Sequence, residues 1–181
     1  TEKKGEWIIW LTYAALVVLI FYCMYTPNIY GRGEQGDNYH AHAYFNSVYN
    51  VYQGVPYTHN VTSIYGHYGL FFKIPMKLVH GDFRAFVLMM AGLGALTYIG
   101  AFLVLQMLVR SRILRVIAAF ALAFPVLGMR GGYYWQVWPH RVLFPVLLLL
   151  YGTVILKKKR SSLLTAAGGY LICLLAILWN T

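Results

Sequence analysis

From Trp7 to about Tyr25 the chain offers roughly 19 mostly apolar residues in one run, enough to cross a hydrocarbon core about 30 Å thick. A segment that enters lipid must satisfy its backbone N–H and C=O groups internally, which makes it a helix. Trp7 and Trp10 suit an interfacial belt at its start, and Pro27 marks its far end. It lacks a small-residue cleavage site and more apolar runs follow, so it reads as a retained span and not a signal peptide. Further runs of this kind lie at about 84–109, 113–129, 142–156 and 163–179. We therefore expect an all-α, polytopic transmembrane helix bundle with five spans.

Composition agrees. The 181 residues are 60% hydrophobic and 11% charged, with a mean hydropathy of +0.58, against about 25% charged residues in an ordinary soluble domain. The formal net charge of +10 does not point to nucleic acid, because the basic residues sit in short clusters beside apolar runs and not along one face. Placing the head TEKK in the cytoplasm also puts Arg110–Arg115 and Lys157–Arg160 there. That collects most of the Lys and Arg in short inner segments, as the positive-inside rule requires. All the histidines then fall on the outer side, with Glu34, Asp37 and Asp82. The expected location is the plasma (inner) membrane with the functional loop facing out. Cys23 and Cys173 lie inside apolar runs and read as packing residues, not a disulfide or metal pair. The chain has no initiator Met and stops at LWNT after an apolar run, so the expectation is the N-terminal part of a longer protein, with 1–181 a transmembrane domain.

The long outer connection, residues 27–83, holds most of the polar chemistry. Within it, Asn38, His42, Asn46, Asn50 and Gln53 recur at helical spacing, with Ala41, Tyr44, Phe45, Val48, Val51 and Tyr52 on the other side. This predicts an amphipathic helix over 38–53 lying along the outer membrane surface. Leu70–Val79 is apolar but short and interrupted by Lys73, Pro75 and Lys77, so it predicts a second interfacial or re-entrant helix. Gly92, Gly94 and Gly100 in the second span permit close helix contact.

Several of these residues carry two readings. Asp37, after Gly36 and before a helical pattern, is an N-cap or a general base held at a helix N-terminus, and the two are compatible. Glu34, Asp37, His40 and His42 form E-x-x-D-x-x-H-x-H, which contains zinc-type ligands. Residues two apart point to different sides of a helix, so solvated or tyrosine-bonded histidines are the simpler reading and no metal is assigned. The tyrosines of the loop form an interfacial belt, a minority of them suited to stacking on a sugar ring. Gln136, His140 and Arg141 stand just before a span, beside two tryptophans and two prolines. Arg141 is a snorkelling anchor or a planar fork for a lipid phosphate.

A first span, an outer loop with an early acid, an amphipathic segment, Gly54-Val55-Pro56-Tyr57, Ile64-Tyr65-Gly66-His67-Tyr68-Gly69 and a short Pro-containing helix together resemble the N-terminal part of the C-type (GT-C) glycosyltransferases. The resemblance covers roughly residues 1–145. It implies transfer of a sugar, with inversion, from a polyprenyl-phosphate donor to an acceptor hydroxyl of a glycan, lipid or protein. Asp37 maps onto the family's catalytic base, with Glu34, His40 and His42 in support and Glu34 an alternative base. Such a reaction expels a phosphate that is already a stable anion, so one carboxylate suffices without a general acid. Arg141, His140, Arg130 and Lys73 are the outer cations available to that phosphate. Asn38, Tyr65, His67 and Gln136 are the candidates for acceptor and sugar contact. Family members are longer, so this chain would be a front portion. The alternatives are a non-catalytic membrane scaffold, a lipid-binding or flippase subunit, and a zinc-dependent membrane hydrolase.

Overall fold

The computed structural model describes residues 5–30, 35–57, 65–128, 135, 138–159 and 162–180, with 26–30 and 35–41 as backbone only. Its helices are α1 (Glu6–Tyr30), α2 (Gln35–Tyr52), α3 (Tyr68–Leu78), α4 (Phe83–Leu108), α5 (Arg112–Gly128), α6 (Leu143–Lys158) and α7 (Leu163–Asn180). No strand occurs among the described residues. The fold is all-helical, as expected.

Among the described residues three helices, not five, are long and apolar enough to cross a membrane: α1 over Glu6–Tyr25, α4 over Phe83–Leu108 and α7 over Leu163–Asn180. Helix α5 has 17 residues and begins with Arg112 and Arg115 in its first turn. Helix α6 has 16 and ends on Lys157 and Lys158. At 1.5 Å per residue these are about 26 and 24 Å long, short of a core of about 30 Å. The turn at 138–142 stops residues ahead of Pro139 from lengthening α6.

Helix α1 buries Ile9, Tyr13, Leu16, Ile20 and Met24, a stripe at steps of three and four. It packs against α4 and α5, in a cluster with Tyr98, Phe102, Ala119, Ala123 and Val126. Its other face is equally apolar and exposed, including Ile8, Leu11, Val18 and Leu19. A helix apolar all round belongs in lipid or a large core. A Cβ added at Gly94 would meet the Met24 Sδ at 2.2 Å, and one at Gly100 would meet Val146 at 2.9 Å. Those two glycines serve close packing as expected, whereas Gly92 faces open space. Cys23 packs against this core, while Cys173 is exposed on α7 and so is not a packing residue.

Two ends result. At one, the Glu6 carboxylate accepts from Gln106 Nε2 at 3.0 Å, Arg112 Nε at 3.2 Å and Arg115 Nη1 at 3.2 Å. This ties the start of α1 to the end of α4 and the start of α5. At the other end, α2 and α3 pack on each other and form an aromatic layer with Phe86, Trp135, Phe144 and Trp179. Helices α4 and α6 both run away from that layer and pack together. Helix α7 returns to it, held near its start by Tyr151 Oη donating to the Thr165 carbonyl at 2.8 Å.

Helix α2 begins three residues ahead of the expected start. It buries Tyr44, Val48 and Val51 and exposes His42 and Asn46, as its pattern predicts, while Asn50 is half-buried and the exposed Gln53 falls just past its end. Helix α3 carries Pro75 internally. Asp82 caps α4, its Oδ1 accepting from the Arg84 N–H at 3.0 Å.

Helix α7 docks on the layer through Gly66, whose φ of +78° puts it in left-handed space where side chains are strained. A Cβ there would sit 2.0 Å from the Trp179 carbonyl oxygen. The backbone cannot yield as a flexible side chain would. Gly66→Ala should destabilise the protein by roughly 2 kcal/mol or more, seen as a lowered unfolding temperature in detergent. An unchanged temperature would show that α7 is not seated this way.

Candidate functional site

The aromatic layer is where separate stretches of the chain meet. Tyr44 comes from α2, Tyr65 and Tyr68 from the segment entering α3, and Trp135 and His140 from the connection before α6. Tyr44 stacks on Tyr65, ring centroids 4.2 Å apart and planes 17° from parallel. It meets Tyr68 edge-on at 5.2 Å, Trp135 at 5.9 Å and His140 at 5.8 Å. Edge-to-face contacts of this kind add to the stabilisation from burial alone.

His140 is the polar member that the sequence singles out. It is buried, and its Nδ1 lies 2.7 Å from the Tyr68 hydroxyl in a hydrogen bond. Burial, and then the adjacent Arg141 guanidinium, push its pKa from 6.5 down to about 4. Burial first, then neighbouring tyrosines, push the Tyr44 and Tyr68 phenols up, with Arg141 working the other way on Tyr44. The layer is therefore electrically neutral inside, with the exposed Arg141 beside it. A cation at the rim of a neutral, low-dielectric wall attracts an anion more strongly than one in open water.

The other candidates are distributed as follows. Tyr65 belongs to the cluster, edge-on to His140 at 5.9 Å. His67 borders it, its Nδ1 hydrogen bonded to the Tyr57 hydroxyl. His42 is exposed and stacks on Phe83 at 5.4 Å. Lys73 is exposed on α3, one residue beyond the buried Phe72. The backbone of Asp37, Asn38 and His40 lies in the first turns of α2, and since α2 starts at Gln35, Asp37 falls within the first turn and not at the cap. Its Cα is two turns, about 10 Å, before that of Tyr44 on the same helical face. Glu34, Arg130 and Gln136 lie outside the described residues. Among the described residues no group of three or more His, Cys, Asp or Glu gathers as a metal site.

Sequence reasoning missed Tyr44, Tyr68, Trp135 and Trp179. Tyr44 reads as one more apolar-face residue of α2. Trp179 sits in an apolar run, yet its ring lies 4.3 Å from that of Tyr68. The available signal was chemical type: tyrosine and tryptophan carry a donor that apolar periodicity ignores.

The depressed His140 value has a consequence for stability. Between about pH 6.5 and 4, the unfolded chain binds a proton that the folded protein does not, so stability falls as pH drops through that window and levels off below it. The loss is on the order of 3 kcal/mol between the two limits. His140→Gln keeps an acceptor for Tyr68 but cannot titrate, so its unfolding temperature should vary less over this range. An identical pH slope in wild type and variant would place the titration elsewhere. No protein-family model, no curated protein and no solved structure matches this chain.

Proposed function

We propose that this chain is part of an integral membrane glycosyltransferase that moves a sugar from a polyprenyl-phosphate donor to an acceptor hydroxyl at the outer face. One observation carries the reading. The described parts of both polar connections flagged in the sequence meet in a single layer at one end of the bundle, Tyr44, Tyr65 and Tyr68 from the first and Trp135 and His140 from the second. Glu6, Arg112 and Arg115 hold the opposite end, and α6 carries Lys157 and Lys158 away from the layer. The charge pattern then orients the molecule, with the basic end in the cytoplasm and the aromatic layer outside. In this arrangement α1, α4 and α7 cross the bilayer, and the shorter α5 and α6 pack beside α1 and α4. Helix α2 lies at the outer surface with its polar stripe toward water and acceptor.

The chemistry is economical. The Asp37 carboxylate takes the proton of the acceptor hydroxyl. The acceptor oxygen bonds to the anomeric carbon from the face opposite the donor phosphate, inverting the centre. The bond from that carbon to the phosphate oxygen breaks, and its electron pair leaves on the lipid phosphate. Arg141 receives the charge, since a guanidinium offers two parallel donors to phosphate oxygens. Tyr65 supplies a ring face for the sugar, and His67 and Asn38 border the acceptor.

Asp37→Asn and Arg141→Lys separate base from clamp. Asp37→Asn should lower turnover by about 10²-fold or more while the protein inserts and unfolds normally. Arg141→Lys keeps the charge but loses the fork, so donor affinity should weaken with the fold intact. Sugar transfer at wild-type rate by Asp37→Asn, measured with a radiolabelled polyprenyl-phosphate sugar in membranes, would remove Asp37 as the base.

A further inference from the structure

The aromatic layer contains proton donors that nothing in it receives. The Tyr44 hydroxyl and the Trp135 indole N–H are fully buried, both at 0% exposure, and have no hydrogen-bond partner among the described residues. An unmet buried donor destabilises a fold, and native proteins keep few of them. Phenylalanine at position 44 would retain every ring contact to Tyr65, Tyr68, Trp135 and His140 without that penalty. A group retained against stability is the mark of a site with another use.

The polarity of the unmet groups narrows the ligand. An indole can only donate. The Tyr44 phenol holds its proton, because burial raises its pKa. His140 Nδ1 is already engaged by Tyr68. Arg141, exposed and next in sequence to His140, adds further donors and a positive charge that reaches Tyr44. Donors and a cation predominate here, with the Tyr44 phenol oxygen the one acceptor among the unmet groups, and they fit an oxygen-rich anion best. A sugar hydroxyl, which must donate as well as accept, fits them poorly.

We propose that the Tyr44 hydroxyl and the Trp135 indole N–H, with Arg141 at the rim, form a binding site for the phosphate head of a lipid. It deepens the phosphate end of the reading above and rests on that reading only for the identity of the carrier. The phosphate oxygens accept from Tyr44 and Trp135 in a water-poor layer, and the guanidinium balances the charge.

The test uses the purified protein in detergent, with farnesyl phosphate as the probe and farnesol as its uncharged control. Binding is followed by tryptophan fluorescence and by the rise in unfolding temperature. Wild type should bind farnesyl phosphate saturably and farnesol at least about tenfold more weakly. Tyr44→Phe should weaken farnesyl phosphate by about tenfold or more, the effect of losing one hydrogen bond to a charged group. Its ligand-free unfolding temperature should stay the same or rise. Tyr13→Phe is the matched control, since Tyr13 also buries an unpartnered hydroxyl but belongs to the α1 core. It should bind as wild type does. Inorganic phosphate or phosphatidylglycerol displacing the probe would support the site and name free phosphate or a bilayer headgroup as its source. Displacement by neither would support it and assign it to a prenyl carrier. Equal binding of farnesol and farnesyl phosphate, unchanged binding by Tyr44→Phe, or a lower ligand-free unfolding temperature in that variant would overturn the proposal. Tyr44-dependent phosphate binding in a protein that transfers no sugar would sink the transferase reading and leave the site standing.

Discussion

The hydrogen bond between the Tyr68 hydroxyl and His140 Nδ1, 2.7 Å long and spanning 72 residues of sequence, holds the two polar connections of this chain together. Around it Tyr44, Tyr65, Trp135 and Trp179 pack as rings whose edges meet faces. Burial of the imidazole and of the Tyr68 phenol is costly unless each finds a partner, and here each satisfies the other. The pair is thus mutually required. It also fixes where Arg141 stands, since that residue follows His140 directly at the rim of the layer.

A molecule in lipid gains little from burying one apolar helix against another, because lipid chains are as apolar as leucine. What distinguishes its ends are polar contacts and close packing. Here the Glu6 carboxylate gathers Gln106, Arg112 and Arg115 at one end. The aromatic layer closes the other. Between them Gly94 and Gly100 let α1 and α6 approach α4 closely. The exposed leucines of α7, among them Leu163, Leu164 and Leu171, are what a lipid-facing surface requires.

Much of this architecture was legible. Apolar runs locate α1, α4 and α7 within a few residues, and the polar stripe through His42, Asn46 and Gln53 identifies α2 and its exposed face. The short helices misled for a physical reason. Apolar length alone assigns α5 and α6 as spans, while the arginines that open α5 and the turn that delays α6 shorten both. For the site, local composition marks His140, Arg141 and Tyr65 because polar groups beside apolar runs stand out. Beyond its chemical type nothing local singles out Tyr44, whose ring suits the apolar face of α2, or Trp179, which reaches the layer only because α7 docks at Gly66. Contacts set by the meeting of distant helices leave no periodic trace.

Thiol labelling tests directly the proposed orientation, with the aromatic layer facing outward and the basic end facing the cytoplasm. With Cys23 and Cys173 replaced by alanine, single cysteines would be placed at Gln53, exposed after α2, and at Lys158, exposed at the end of α6. A membrane-impermeant maleimide applied to intact cells should label Gln53→Cys at once and Lys158→Cys only after the membrane is opened. Labelling of Lys158→Cys in intact cells, with Gln53→Cys protected, would contradict the account.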